Sequence, residues 1–317
     1  MSFSSQVKEE LSRQFHKSRH CQIAEIAAIL GFSGKLEQSE EGDILRIYTE
    51  NLPLARKYFI LMKETFQAVC SISVRQNIYL HKTRVFVVSL AEREKVKKVL
   101  KALKWRNEKN EDIRKGSLVN RVLVQNSCCR RAFIRGAFLS AGSMSDPEKS
   151  YHFEIVCDGE EKAKQLMEII NSFEMDSKIV MRKKNYVVYL KEGSQIVDML
   201  NIMKAHVALM NLENVRIIKE MRNSVNRQVN CETANINKTV NAAVKQLEDI
   251  NYIKNTIGLD NLPDNLKEVA IARLHYPQAP LKELGTFLEP PVGKSGVNHR
   301  LRKLSEVAED LREKGVV

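Results

Sequence analysis

The sequence predicts an α+β protein in which a duplicated domain of two αββαββα halves is followed by an all-α domain. Two observations support this fold class. Residues 44–66 and 152–174 both have the pattern of a strand, a short loop and a helix, and their matching positions keep one constant offset. From about residue 235 onward the apolar residues recur at the spacing of amphipathic helices.

Each half is expected to begin with a helix of small residues that ends in glycine. The two helices cover residues 23–34 and 133–142, and their last glycines lie 142 − 34 = 108 positions apart. The same offset relates Ile47 to Ile155 in the following strands, since 155 − 47 = 108. Because alanine and glycine allow two helix backbones to approach closely, we place both helices at a pseudo-two-fold axis between the repeats.

A further strand and a closing helix complete each half. Residues 85–90 and 185–190 are rich in valine and aromatic residues, as is typical of strands, and each is followed by apolar residues at helical spacing. We therefore assign residues 1–106, which include an N-terminal helix, to the first repeat and residues 107–215 to the second.

The C-terminal part is predicted to contain a helix-turn-helix. Residues 216–235 are rich in asparagine and arginine and are expected to form an ordered polar linker ahead of a helical domain at 236–317. In this domain a short helix, a proline-containing break at 289–293 and a longer helix follow one another over about 280–313. The order is that of a helix-turn-helix, although the break is longer than the usual turn of about three or four residues.

The charge balance favours an anionic partner. The chain has 51 Lys and Arg against 39 Asp and Glu, a net charge of +12, which most simply indicates nucleic acid. In the last helix, arginine and asparagine suit guanine and adenine edges, whereas serine, lysine and the helix N-terminus suit phosphates. The alternative is a helix with a solvated basic face. The candidate DNA-binding residues are Lys282, Lys294, Ser295, Asn298, His299, Arg300, Arg302 and Lys303.

Hairpin tips of the duplicated domain supply a second basic set. Basic side chains at these tips could contact phosphates and position a duplex without reading its sequence. The alternative is solvated charge on exposed turns. The candidate phosphate contacts are Lys82, Arg84, Arg182, Lys183 and Lys184.

The doubled, glycine-ended helices that head the αββαββα halves resemble those of the LAGLIDADG homing endonucleases. The resemblance implies two sheets that form a saddle for duplex DNA. In those enzymes an acidic residue precedes the last glycine of each helix, and the pair holds divalent metal ions for cleavage. Here Ser33 and Ala141 occupy those positions, and the nearby acids Glu25 and Asp146 sit on other turns. The sequence therefore predicts no catalytic residues, no metal site and no enzymatic activity.

Four strings in the chain are also distinctive: Met1-Ser-Phe-Ser4, Asn226-Arg-Gln-Val-Asn-Cys-Glu-Thr-Ala-Asn235, Lys238-Thr-Val-Asn-Ala-Ala243 and Gly296-Val-Asn-His-Arg-Leu301. Together with the order of the domains, they resemble the WhiA family of Gram-positive bacteria over essentially the full chain. The resemblance implies a DNA-binding regulator without nuclease activity. It also implies a role in sporulation in some bacteria, and in cell division and chromosome segregation in others.

The cellular setting follows from what the sequence lacks. The N-terminus has no apolar segment of a signal peptide, and no apolar run is long enough to span a bilayer. The six cysteines show no C-x-x-C pair and no histidine partner at zinc-finger spacing. We therefore expect a cytoplasmic, nucleoid-associated protein with reduced cysteines, no membrane contact, no bound metal and no cofactor.

The leading hypothesis is a non-catalytic protein that binds double-stranded DNA with sequence preference, with its last helix in the major groove. The duplicated domain adds phosphate contacts or holds a protein partner, and no small-molecule substrate is expected. Two alternatives stay open from the sequence: a metal-dependent homing-type endonuclease and a protein-interaction scaffold.

Overall fold

The computed structural model describes residues 2–40, 42–76, 84–107, 111–112 and 116–314. The chain divides into two compact units, Met1–Lys219 and Glu220–Val317, which are described separately here. The first unit contains both αββαββα repeats, and the second contains a helical C-terminal domain. The predicted fold class is therefore confirmed.

The first repeat follows an N-terminal helix, α1 (Phe3–Ser12). Its elements are α2 (Arg19–Ser33), β1 (Gly34–Ser39), β2 (Gly42–Thr49), α3 (Leu52–Phe66), β3 (Ser71–Gln76), β4 (Arg84–Leu90) and α4 (Arg93–Ala102). Local sequence sets the bounds of α3, because the Asn51 side chain caps its first turn and Gln67 ends it in the left-handed conformation.

The second repeat has the same order of elements and follows a short 3-10 helix, Arg121–Val124. Its elements are α5 (Ser127–Ala141), β5 (Gly142–Met144), β6 (Phe153–Cys157), α6 (Glu160–Asn171), β7 (Lys178–Arg182), β8 (Asn185–Leu190) and α7 (Gly193–Met203). The strand that follows each glycine-ended helix begins at the glycine itself, as Gly34 and Gly142 show.

Each repeat forms a four-stranded antiparallel sheet, in the order β1-β2-β4-β3 or β5-β6-β8-β7. The register is equivalent in the two sheets, because Gly34 pairs with Ile47 and Gly142 pairs with Ile155. The ends of β4 and β8 differ by 190 − 90 = 100 positions. Because the first strands of the two repeats are offset by 108 positions, the second repeat is 108 − 100 = 8 residues shorter between its first and last strands.

Helices α2 and α5 pack closely against each other in the first unit. A side chain at Gly136 would bring its Cβ within 2.7 Å of the Glu25 carbonyl oxygen and 2.9 Å of the Ala28 Cβ. Glycine is the residue that fits such an approach, since it has no Cβ. Gly136 and Ala28 thus lie at a close contact between the two helices.

The second unit begins within a long helix, α8 (His206–Thr256). The segment 216–235, expected as an ordered polar linker ahead of the helical domain, is instead part of this helix, which begins at His206. The physical reason is local. Residues 206–256 contain no glycine or proline to end a helix, and the polar side chains at 220–235 are solvent-exposed on the helix surface.

Three further helices complete the second unit: α9 (Asp264–His275), α10 (Leu281–Leu284) and α11 (Lys294–Glu313). They enclose a core with Ile250 and Ile253 of α8. The residues that α11 buries in this core are those its spacing predicts, namely Val297, Leu301, Leu304 and Ala308. Among the described residues no helix, α8 included, is apolar enough over a sufficient length to cross a bilayer.

Candidate nucleic-acid interface

Helices α10 and α11 form the helix-turn-helix of the second unit. A 3-10 turn, Gly285–Phe287, extends α10, and residues 288–293 connect it to α11. In this connection the Val292 N–H donates to the Gly285 carbonyl at 2.9 Å. A Cβ on Gly285 would overlap the Val292 carbonyl oxygen, so glycine permits the tight return of the chain onto α10.

The N-terminal half of α11 presents a polar and basic surface. Its exposed side chains are Lys294, Ser295, Asn298, His299, Arg302 and Lys303. Acidic side chains occur on α11 only from Glu306 onward. Positive charge is therefore concentrated on the first half of the helix, on the side away from the buried Val297 and Leu301.

The N-terminus of α11 adds a backbone feature. Its capping residue is Gly293, which forms no side-chain cap, and its first turn contains no acid. Unpaired N–H groups and the helix dipole together favour an anion at such a terminus. Lys294 and Ser295 stand in the same turn, so this end of the helix suits a DNA phosphate.

Arg300 is placed differently from the other predicted residues. Its guanidinium lies 3.5 Å from the Glu268 carboxylate and donates to the Asn265 carbonyl at 3.4 Å. The side chain is only 23% exposed and connects α11 to α9. Sequence reasoning missed Glu268 as a partner. The available signal was that Arg300 directly precedes the buried Leu301 and so lies at the edge of the apolar stripe.

Lys282 on α10 is exposed near the same end of α11. Together with Lys294 and Asn298, it lines a cleft of about 920 Å³ whose other walls come largely from apolar residues of α8 and from residues 277–281. Because these three side chains stand at an open cleft, they are not packed into the core. Seven of the eight predicted DNA-binding residues are thus exposed, with Arg300 as the exception.

The candidate phosphate contacts on hairpin tips are less uniform. Lys82 lies outside the described residues. Arg84 is exposed at the beginning of β4, and the exposed turn at 183–184 joins β7 to β8. Arg182 is instead paired with Glu154, with 2.9 Å between Nη1 and Oε2. Arg84 and the lysines at 183–184 are therefore the tip cations best placed for phosphate.

The C-terminal ends of α2 and α5 are where the resemblance to LAGLIDADG nucleases would require metal ligands. Ser33 and Ala141 end these helices and supply no carboxylate. Within the described ranges, no group of three or more His, Cys, Asp and Glu side chains gathers there. Glu25 is fully buried in ion pairs, and Asp146 accepts the N–H of Glu148 at 3.0 Å.

Three family domains match the chain. The WhiA N-terminal LAGLIDADG-like domain matches residues 19–104, the WhiA LAGLIDADG-like domain matches residues 130–222, and the WhiA C-terminal HTH domain matches residues 225–308. The three matched ranges follow the order of the two repeats and the helix-turn-helix described above.

Full-length relatives and a solved structure agree with these matches. The chain is 55% identical to "Probable cell division protein WhiA" of Lachnoclostridium phytofermentans over 99% of this chain and 100% of that protein. It is 50% identical to the protein of the same name from Thermoanaerobacter pseudethanolicus, over 100% of both. The crystal structure of full-length DUF199/WhiA from Thermatoga maritima has a TM-score of 0.60 at 24% identity, covering 98% of this chain and 99% of that one. This similarity supports the fold.

Proposed function

This chain belongs to the WhiA family, and from that premise we propose that it is a non-catalytic protein that binds double-stranded DNA with sequence preference. One observation carries the proposal: the N-terminal half of α11 is exposed and basic and contains no acid. The relatives named as probable cell division proteins support a role in cell division.

In the proposed complex, the N-terminal half of α11 enters the major groove. Arg302 and Asn298 are the candidates for base contacts, because arginine pairs with guanine and asparagine with adenine through two hydrogen bonds. Lys294, Ser295 and the free N–H groups of the first turn would hold a phosphate. Arg300 would position α11 on α9 through Glu268.

Residues beside these complete the interface. His299 and Lys303 are exposed on α11, and Lys282 is exposed on α10. In a helix-turn-helix the first helix crosses the DNA backbone, so Lys282 would contact a phosphate there. Such contacts strengthen binding to any sequence, whereas the base contacts provide preference.

The duplicated domain would add affinity without reading sequence. Arg84 and the lysines at 183–184 are exposed at hairpin tips, where they could contact phosphates. The same surface could instead hold a protein partner. We assign no cleavage to this domain, because Ser33 and Ala141 cannot hold the two metal ions that phosphodiester hydrolysis would need.

The physiological part of the proposal rests on family membership. Within the WhiA family, the proposed protein would act in the cytoplasm at the nucleoid. There it would regulate genes for cell division and chromosome segregation and, in some bacteria, for sporulation.

Titration of duplex DNA with the full-length protein tests whether α11 recognises the DNA sequence. Target duplexes would be selected from a random library, and affinity would be measured by fluorescence anisotropy at fixed salt. Arg302→Ala is expected to weaken binding about 5- to 150-fold, equivalent to about 1–3 kcal/mol, and to relax the preference at one base position.

Lys267→Ala is the matched control. It removes one positive charge from the same unit, but Lys267 lies on α9 and pairs with Asp260. Its affinity is expected to stay close to that of the wild type. Equal DNA affinity of the wild type and Arg302→Ala would show that α11 does not recognise the DNA sequence. Separately, nicking of supercoiled DNA by the wild type in Mg²⁺ or Mn²⁺ would show that the protein is a nuclease.

A further inference from the structure

The first turns of α2 and α5 bring four metal-binding side chains together. His20 and Cys21 lie at the beginning of α2, and Cys128 and Cys129 lie at the beginning of α5. One ligand atom from each lies within 4.8 Å of all the others. The residues are equivalent in the two repeats, because 128 − 20 = 108 and 129 − 21 = 108. Spacing along the chain could not reveal this cluster, whereas the repeat offset could have.

The distances within the cluster suit a tetrahedral ion. Zinc forms bonds of about 2.3 Å to sulfur and about 2.0–2.1 Å to nitrogen, so its sulfur ligands lie about 3.8 Å apart. The His20 Nδ1 atom lies 3.1 Å from Cys129 Sγ and 3.4 Å from Cys21 Sγ. The widest spacing in the group, 4.8 Å, exceeds the tetrahedral value by only about 1 Å. Side-chain rotation can supply a shift of that size.

The surroundings also suit a zinc–thiolate group. Cys21 and Cys129 are buried together with Ala24 and Ala132, and such an apolar shell limits the access of water to a metal site. His20 is exposed, which gives an ion a route of entry. Both pairs of ligands stand in the first turns of their helices. Burial raises the pKa of the Cys21 thiol to about 12, so an ion must displace the thiol protons as it binds.

Positive side chains near the cluster match the charge of such a group. Three thiolates and a neutral imidazole around Zn²⁺ have a net charge of −1. Arg19, Arg130 and Arg131 lie in or next to the same first turns, and the last two lie over the ring of Phe173. Residues 19–24 and 126–133 contain no acid that would oppose this charge.

We propose that His20, Cys21, Cys128 and Cys129 form a structural Zn²⁺ site that joins the two repeats. Thiolate and imidazole ligands select zinc over Mg²⁺ or Ca²⁺, and four protein ligands leave no open position for catalysis. Each thiol releases its proton as the sulfur binds the ion. The site lies at the opposite ends of α2 and α5 from Ser33 and Ala141, so it is separate from the positions at which the nucleases hold metal ions.

Metal analysis of the full-length protein tests the site. Protein purified with a phosphine reductant and without chelator is expected to contain about one zinc ion per chain, as measured by inductively coupled plasma mass spectrometry. Replacement by Co²⁺ should produce the strong visible absorption of tetrahedral cobalt and a thiolate charge-transfer band. Cys129→Ser is expected to lose both signals. Cys231→Ser, which changes the exposed cysteine of α8, is the control and should retain them.

A second variant covers the case in which Cys129→Ser fails to fold. His20 is exposed, so His20→Ala should remain folded, as circular dichroism and thermal unfolding would verify. It is expected to bind Co²⁺ about tenfold or more weakly than the wild type. The proposal is overturned by a zinc content below about one-tenth of an ion per chain after reconstitution, by unchanged cobalt affinity in folded His20→Ala, or by a disulfide between α2 and α5 under these reducing conditions.

Discussion

At the residue scale, a buried group of three charges dominates the first unit. Glu25 on α2 lies 2.6 Å from Lys57 Nζ and 2.9 Å from Arg135 Nε, and none of the three side chains is more than 1% exposed. Lys57 also donates to the Leu11 carbonyl at 2.7 Å, and Arg135 donates to the Met203 carbonyl at 3.3 Å. One carboxylate is therefore shared by two cations, and the group ties α2, α3 and α5 to the ends of α1 and α7.

Removal of that carboxylate should be costly. Glu25→Gln is expected to lower the free energy of unfolding by about 3–5 kcal/mol, because it leaves two buried cations without a counter-ion. Urea denaturation would show this as a lower midpoint at an unchanged slope. Glu94→Gln is the control, since Glu94 is exposed and pairs with Lys97 at the surface. A Glu25→Gln protein as stable as the control would contradict the expectation.

The same group should make stability sensitive to acid. Burial alone would raise the pKa of Glu25, but the Lys57 and Arg135 cations outweigh it and hold the pKa below its usual value. The resulting stability is fully present above the unfolded pKa of about 4.3 and is lost as the pH falls through the folded pKa. The difference in stability between wild type and Glu25→Gln should therefore shrink in urea titrations below about pH 4. An unchanged difference would show that Glu25 does not titrate with a lowered pKa.

At the scale of elements, the repeats could be predicted because the sequence contains the pattern twice. Gly34 and Gly142 mark the same helix-to-strand boundary, and the register of the two sheets repeats with them. Two strands and three helices in each half followed from apolar periodicity. That periodicity exists where an element buries one face, whereas α2 and α5 are buried nearly all round and were predicted from their small residues and terminal glycines.

The middle of α8 was not predicted as a helix, although the sequence contained a signal for one. The middle of α8 exposes every residue from 220 to 235, and its asparagines favoured a linker, although Met221, Val225 and Val229 recur there at helical spacing. The contact made by Arg300 in the candidate site could not be predicted from the sequence. It lies at the edge of the apolar stripe of α11, and only the neighbouring α9 decides that it contacts Glu268 and not solvent.

The contact between α2 and α5 leads to a prediction about helix packing. Gly136→Ala is expected to destabilise the protein although alanine is the better helix former. Its Cβ would lie 2.7 Å from a carbonyl oxygen of α2, and overpacking costs about 1–3 kcal/mol against a gain in helix propensity of about 1 kcal/mol.

Gly193→Ala is the matched control for this prediction. Gly193 begins α7, and a Cβ there would meet its nearest neighbours at 3.5 Å, an ordinary contact distance. Thermal unfolding of both variants is the measurement, with Gly193→Ala expected to equal or exceed the wild type. If Gly136→Ala also gains stability, α2 and α5 do not approach as closely as described.

At the scale of the whole molecule, the net charge of +12 is distributed unevenly over the exposed surface. Part of the sheet surface is internally neutralised, because Glu37 pairs with Arg46 and Glu154 pairs with Arg182. The first half of α11 and the turn at 183–184 are exposed and basic. Each unit therefore offers cations to a polyanion, and α11 offers them next to asparagine and arginine side chains that can read bases.

This distribution predicts how salt should act on DNA binding. The variant Lys183→Ala with Lys184→Ala is expected to weaken binding to all duplexes alike. It should lower the slope of log affinity against log salt by about 1–2, because each phosphate contact contributes about 0.9 to that slope. Its base preference should remain that of the wild type. Titrations at several salt concentrations, on a selected duplex and a scrambled one, measure both properties.

Lys162→Ala with Lys164→Ala is the matched control for the salt experiment. It removes the same charge from the same repeat, but both lysines lie on α6 and form ion pairs within that helix or with its preceding turn. Its slope is expected to match the wild type. If the two double variants behave identically, the turn at 183–184 does not touch DNA, and this result would favour a protein partner for that surface of the duplicated domain. Helix α11 and the duplicated domain would in that case act on different molecules.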